Sequence, residues 1–170
     1  MVIRDPCAFV WCKVYYFTLS NSTTGVASLV AVDIASGTIA PLPPSVHGAF
    51  GTDGPLCFDV TLGMLVAVGG SSSSGDGSIV GWTPPDGVGG EGTVTVLRAA
   101  GLGGLVGVRS VGCLRGVVAV GLVSWQEQDS PTRILAFDFG PDGNGTTSGG
   151  EPFHNSTAPQ DLHDLVLTTA

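Results

Sequence analysis

The sequence predicts an all-β protein built from repeated antiparallel units. Short runs rich in β-branched and aromatic residues recur along the 170-residue chain, and clusters of Gly, Pro, Ser or Asp bound each run. This punctuation is typical of strands joined by turns. Stretches with the apolar period of a helix are interrupted by Gly or Pro within two turns, so helices are not expected to form the core.

Three successive units contain most of the predicted strands. Each has a strand, a tight turn, a second strand, a polar loop, a third strand, a Gly-containing turn and a fourth strand. The units cover residues 7–44, 55–99 and 110–153 of a single domain, and residues 154–170 follow as a tail. The first strand of the first unit is predicted at 7–11, and the central strand pairs of the units at 14–19 and 29–34, 64–70 and 78–83, and 117–125 and 133–139.

The units recur at a period of about 50 residues, the spacing of some propeller blades. Four antiparallel strands per unit at this period predict a β-propeller, in which each blade buries its faces against its neighbours. Three blades are fewer than the roughly 4–8 that close a propeller, so the array is expected to be incomplete or open. Either self-association or further blades in a longer chain would cover the outer faces, or each blade is smaller than assigned here. Asp164–Thr169 looks like the start of a fourth blade.

Several of these segments resemble kelch repeats. The features are the aspartate turn Asp33–Gly37, the strand Gly63–Gly70 that ends in a double Gly, and the following strand Ile79–Thr83. The chain departs from the family pattern because only one unit ends its second strand in a double Gly, at Gly69-Gly70, and because Ile39 stands where kelch repeats have a Trp. The resemblance implies propeller blades whose loops bind a partner.

The composition of the chain argues against a nucleic-acid partner and against a membrane-spanning helix. Six basic residues against 14 acidic ones give a net charge of −8, so the chain lacks the basic surface that nucleic acids require, and no nucleic-acid partner is expected. No apolar run approaches the ~20 residues of a membrane-spanning helix. Asp5 and Pro6 stand where a signal peptide would have its basic and apolar regions, which predicts a cytoplasmic protein if the chain is complete and a secreted one if it is a fragment.

No catalytic, cofactor or metal site is predicted. Gly87–Gly92 has the G-x-G-x-x-G spacing, but a β-rich run follows it where a dinucleotide site needs a helix. Asp138, Asp142 and Asn144 are interpreted as an ordinary Asp-Gly turn, with weak calcium binding as the alternative. No nucleophile elbow is present, and the Tyr, Cys and His ligands of kelch-like copper-radical oxidases cannot be placed here.

The four cysteines form no C-x-x-C pair. Cys7, Cys57 and Cys113 fall at matching places in the first strands of the three units. Equivalent placement predicts small, buried core residues with free thiols rather than a disulfide framework.

All three asparagines of the chain begin glycosylation sequons. These are Asn21-Ser-Thr, Asn144-Gly-Thr and Asn155-Ser-Thr. They are expected to carry glycans if the chain belongs to a secreted protein and to be inert otherwise.

The favoured hypothesis is a non-catalytic module that binds a protein or glycan through the loops between the second and third strands of each unit. The alternative is an incomplete fragment of a secreted propeller enzyme, either carbohydrate-active or a copper-radical oxidase, and a third interpretation is a GC-rich reading frame without a functional product. The candidate partner-binding residues are Ser20, Thr23, Ser72, Asp76, Trp125, Glu127 and Asp129.

Overall fold

The computed structural model of the chain describes residues 3–4, 14–20, 27–50, 54–69, 77–85, 90–99, 102, 106–124, 131–140 and 152–158. Within these residues the chain forms twelve strands and one short helix.

The strands form three antiparallel sheets of four strands each. In every sheet the spatial order of the strands follows the order along the chain. The first sheet contains β1 (Ile3–Arg4), β2 (Val14–Ser20), β3 (Ala27–Asp33) and β4 (Ile39–Pro41). The second contains β5 (Leu56–Asp59), β6 (Met64–Gly69), β7 (Ser78–Thr83) and β8 (Thr93–Arg98). The third contains β9 (Val106–Leu114), β10 (Val117–Ser124), β11 (Thr132–Asp138) and β12 (His154–Ala158), and helix α1 (Pro44–Phe50) lies between the first two sheets in the chain.

The prediction of an all-β fold made of four-stranded antiparallel blades is confirmed. The array is open, as the small number of blades implied. Two boundaries differ from expectation. Strand β1 lies at Ile3–Arg4, whereas the predicted strand at 7–11 falls outside the described residues, and β12 lies in the segment assigned to the tail, where it pairs with β11.

The three sheets pack face to face, and the alternation of side chains along each central strand decides which neighbour a residue meets. In β6, Leu65 and Ala67 pack toward the first sheet, whereas Val66 packs toward the third. In β10, Val118 and Val120 pack toward the second sheet. Strands buried on both faces need apolar residues at every position, which explains why the predicted runs lack a clean polar alternation.

Two apolar joints therefore hold the array together. The joint between the first and second sheets contains the aromatic residues Tyr16 and Trp82, whose rings meet edge to face at 5.7 Å between centroids. The joint between the second and third sheets is mainly aliphatic and includes Ile79, Leu122 and Leu135.

Helix α1 was not anticipated from the sequence, since seven residues are too few to show a helical period. Pro44 occupies the first turn, where the missing N–H costs no hydrogen bond. The Pro43 carbonyl accepts a hydrogen bond from the Val46 N–H at 3.0 Å. Val46 and Phe50 are buried in the joint between the first and second sheets, so tertiary packing supports the helix.

The prediction of free thiols is wrong for two of the cysteines, because Cys57 and Cys113 form a disulfide. Cys57 pairs with Val66, which faces the third sheet, and Cys113 pairs with Val118, which faces the second. Cys57 lies two residues before the last paired residue of β5, whereas Cys113 lies one residue before the last paired residue of β9. A shift of one residue reverses the face of a strand, so the two cysteines point at each other rather than in the same direction.

Candidate partner-binding surface

The array has two unlike ends. One end, here called the turn end, carries the hairpin turns at 60–63 and 115–116 that join the first and second strands of the second and third sheets. The opposite end, here called the loop end, is where the second strands finish and the third strands begin.

Hydrogen bonds within one turn and between two sheets stabilise the turn end. The buried carboxylate of Asp59 accepts one hydrogen bond from the Leu62 N–H within its own turn, at 2.9 Å to Oδ1. Its other oxygen, Oδ2, accepts a bond from the N–H of Gly116 in the next sheet, at 2.8 Å. Each carboxylate oxygen thus satisfies a backbone donor, and the two turns are held against each other.

The geometry of the third sheet's turn requires glycine. Arg115 and Gly116 both have positive φ, 53° and 86°, as expected for a two-residue turn of type I′. A Cβ atom at Gly116 would lie 2.6 Å from the Gly140 Cα. Any side chain there would separate Gly116 from Gly140, and it would also disturb the donor that binds Asp59.

The second strands of all three sheets run from the turn end to the loop end. The Asp59–Gly116 hydrogen bond places the starts of β6 and β10 side by side. In the first sheet, Tyr16 near the start of β2 stacks on Phe58 at 6.4 Å between ring centroids. Phe58 lies next to Asp59, so β2 starts at the same end as β6 and β10.

The loop end of the second sheet is covered on one side by helix α1. A Cβ atom at Gly69 would collide with the carbonyl oxygen of Ala49, so only glycine permits this approach of strand and helix. The Gly69 carbonyl also accepts a hydrogen bond from the Ser78 hydroxyl at 3.2 Å. The first glycine of the double Gly therefore has a packing role at the exit of β6.

Apart from Ser20, the candidate partner-binding residues belong to the three segments that leave this end, residues 21–26, 70–77 and 125–131. Ser20 is the last residue of β2 and pairs with Ala27 at the start of β3. The other candidates, Thr23, Ser72, Asp76, Trp125, Glu127 and Asp129, lie outside the described residues.

The Gly-rich segment, residues 87–92, belongs to the connection between β7 and β8. The Trp82 indole N–H donates a hydrogen bond to the Glu91 carbonyl at 3.0 Å. Gly92 has a φ of +60°, and a Cβ atom there would collide with the Thr83 carbonyl oxygen and the Trp82 indole. Strand β8 begins directly after it, so Gly92 packs against a tryptophan and is followed by a strand rather than a helix.

The aspartates that end the third strands make local turns. Oδ1 of Asp33 accepts hydrogen bonds from the N–H groups of Ala35 and Ser36, at 2.8 and 3.0 Å. Oδ1 of Asp138 accepts one from the Gly140 N–H at 2.9 Å. Asp142 and Asn144, the other oxygens considered for calcium, lie outside the described residues, as do the sequon residues at 21 and 144.

Among the described residues, no three His, Cys, Asp or Glu side chains come close enough together to hold a metal ion. The one helix in this part of the chain, α1, is far too short to cross a membrane.

Two buried polar contacts between the second and third sheets were not predicted from the sequence. One is the Asp59 bond to Gly116, and the other places the guanidinium of Arg98 over the ring of Phe137, 4.7 Å from its centroid. The only signal for the first is the aspartate that ends a strand just before a turn, and the sequence separation of 57 residues conceals its partner.

No protein-family model, no curated protein and no solved structure matches the chain. The repeat and the packing of its sheets are therefore the basis for any assignment of function.

Proposed function

We propose that the chain is a non-catalytic, kelch-like propeller module that binds a protein or glycan partner at its loop end. The observation that supports this proposal is the common direction of β2, β6 and β10, which brings the exits of three polar segments to one end of the array. Three loops carried at one end of stacked sheets form a composite surface on a rigid scaffold.

The two ends differ in a way that favours the loop end. The turn end uses its backbone N–H groups internally, through Asp59 and the tight turn at 115–116. The segments at the loop end are longer than the hairpin turns at 60–63 and 115–116. They are rich in Ser, Gly and acidic residues, and they contain no Lys or Arg. Their charge comes from Asp76, Glu127 and Asp129, so the expected partner presents basic or hydrogen-bonding groups.

The proposal is tested by a triple substitution in one loop, Trp125→Ala with Glu127→Ala and Asp129→Ala. Proteins and immobilised glycans captured by the full chain are compared with those captured by the variant. We expect capture to fall at least tenfold, because an aromatic anchor and two charges are removed. The midpoint of thermal unfolding should stay the same.

The matched control is Val60→Ser, which changes an exposed residue at the turn end. It should leave capture unchanged. Equal capture by the triple variant and the unaltered chain would exclude this loop, and equal loss in the control would show that the loop end is not the binding surface.

The alternative, a piece of a secreted propeller enzyme, is favoured by one observation, the disulfide between the second and third sheets. Stable disulfides are characteristic of secreted proteins. Sequencing the complete transcript separates the two proposals, since an enzyme would require further blades that bring catalytic ligands. Self-association that closes the ring stays a prediction.

A further inference from the structure

Strand β12 presents a sequon at the outer edge of the third sheet. It pairs on one side with β11, and on its other side it has no strand partner in the described part of the chain. Asn155 and Thr157 are both exposed, and as alternate residues of a strand they project from the same face. The residue between them, Ser156, projects from the opposite face, where its hydroxyl lies 2.9 Å from His154 Nε2.

A hydrogen bond to its oxygen orients the side-chain amide of Asn155. Its Oδ1 accepts a hydrogen bond from Arg133 Nε at 3.1 Å across the strand pair. The amide nitrogen Nδ2, the atom to which an N-linked glycan is attached, takes no part in this bond. Asn155 is thus an exposed acceptor with a defined orientation.

An independent observation concerns the compartment in which the chain folds. The Cys57–Cys113 disulfide joins two sheets across 56 residues of sequence, with the Cα atoms 5.8 Å apart. Disulfides of this structural kind form in the endoplasmic reticulum and other oxidising compartments and are rare in the cytosol. The endoplasmic reticulum is also where asparagines of the sequon Asn-X-Ser/Thr receive glycans.

We infer that Asn155 accepts an N-linked glycan when the chain matures in an oxidising secretory compartment. The donor is an oligosaccharide linked to a polyprenyl pyrophosphate. The bond between the first sugar carbon, C1, and the pyrophosphate oxygen breaks, and a bond forms between C1 and Nδ2 of Asn155. Nδ2 loses one proton, and the polyprenyl pyrophosphate leaves. A glycan at this position also shields the free side of β12 from pairing with another strand.

The test uses the full 170-residue chain, expressed with a secretion leader in eukaryotic cells. Glycopeptides are released, and an amidase in water enriched in heavy oxygen labels each asparagine that carried a glycan. Mass spectrometry then reports position 155 separately from the sequons at 21 and 144. Non-reduced peptides from the same sample report whether Cys57 is linked to Cys113.

Three variants test whether the label at position 155 depends on the sequon. Thr157→Ala destroys the sequon and should abolish the label at position 155. Ser156→Ala and Thr157→Ser keep the sequon and should retain it. Because Thr157 is exposed and Ser156 is only partly buried, all three variants should form the disulfide and be secreted.

Two results would overturn the inference. The first is an unlabelled position 155 in a secreted chain whose Cys57–Cys113 bond has formed, since the site would then be accessible but unused. The second is free thiols at both cysteines in the secreted, folded chain, which would remove the argument for an oxidising compartment.

Discussion

The two joints between the sheets are built by different means. Among the described residues, the joint between the first and second sheets is mainly apolar and aromatic, through Tyr16, Trp82 and the two apolar residues of helix α1. The joint between the second and third sheets adds directional contacts, namely the Cys57–Cys113 disulfide, the Asp59 hydrogen bond to Gly116 and the stacking of Arg98 on Phe137.

This difference shows how a repeated unit can form unlike interfaces. Apolar packing has no preferred direction and tolerates rearrangement, whereas hydrogen bonds and a disulfide define a single relative position of two sheets. The second and third sheets are therefore expected to behave as one cooperative unit, with the first sheet held less tightly. Substitutions that affect one joint at a time test this comparison.

The largest effect is expected from replacing both cysteines, Cys57→Ser with Cys113→Ser. A cross-link over 56 residues contributes about 4 kcal/mol by restricting the unfolded chain. Denaturant unfolding should show a loss of this size, and amide hydrogen exchange should become faster in the third sheet before the first. Adding a reductant to the unaltered chain is the control, because it should reproduce the loss without a substitution. An unchanged midpoint in both experiments would show that the disulfide does not hold this joint.

A smaller effect is expected in the other joint from Val46→Ala. Val46 is completely buried, and the removal of its methyl groups should cost about 2 kcal/mol, partly offset by the better helix propensity of Ala. Hydrogen exchange should now accelerate in the first sheet and not in the third. Ser45→Ala changes an exposed residue of the same helix and should leave stability nearly unchanged. Faster exchange in the third sheet would contradict the separation of the two joints.

The smallest effect is expected from Asp59→Asn. Both oxygens of Asp59 accept backbone hydrogen bonds, so an amide would turn an NH2 group toward one of the two donors. We expect a loss of about 1.5 kcal/mol in the free energy of unfolding. Asp138→Asn is the matched control, because Oδ1 alone accepts the bond from Gly140 and an amide oxygen can replace it. Equal losses in the two variants would mean that the change in charge, and not the link to Gly116, causes the effect.

Much of the fold could be predicted because its signals are local. β6 and β7 follow from runs of β-branched residues between turn residues, and the Asp33 turn follows from an aspartate placed before Gly37. The candidate site could be predicted only as a set of loops at one end of the repeat. Helix α1 could not be predicted, since its support comes from apolar residues of the neighbouring sheets.

By itself, the sequence determined that the chain is a repeat of four-stranded antiparallel units and where the central strands lie. Strand propensity and turn chemistry act over a few residues, so they can be recognised without knowledge of the partners. Only the tertiary structure decided that Cys57 faces Cys113 and that Asp59 binds Gly116. Those contacts depend on the face that each residue presents, and a displacement of one residue along a strand reverses that face.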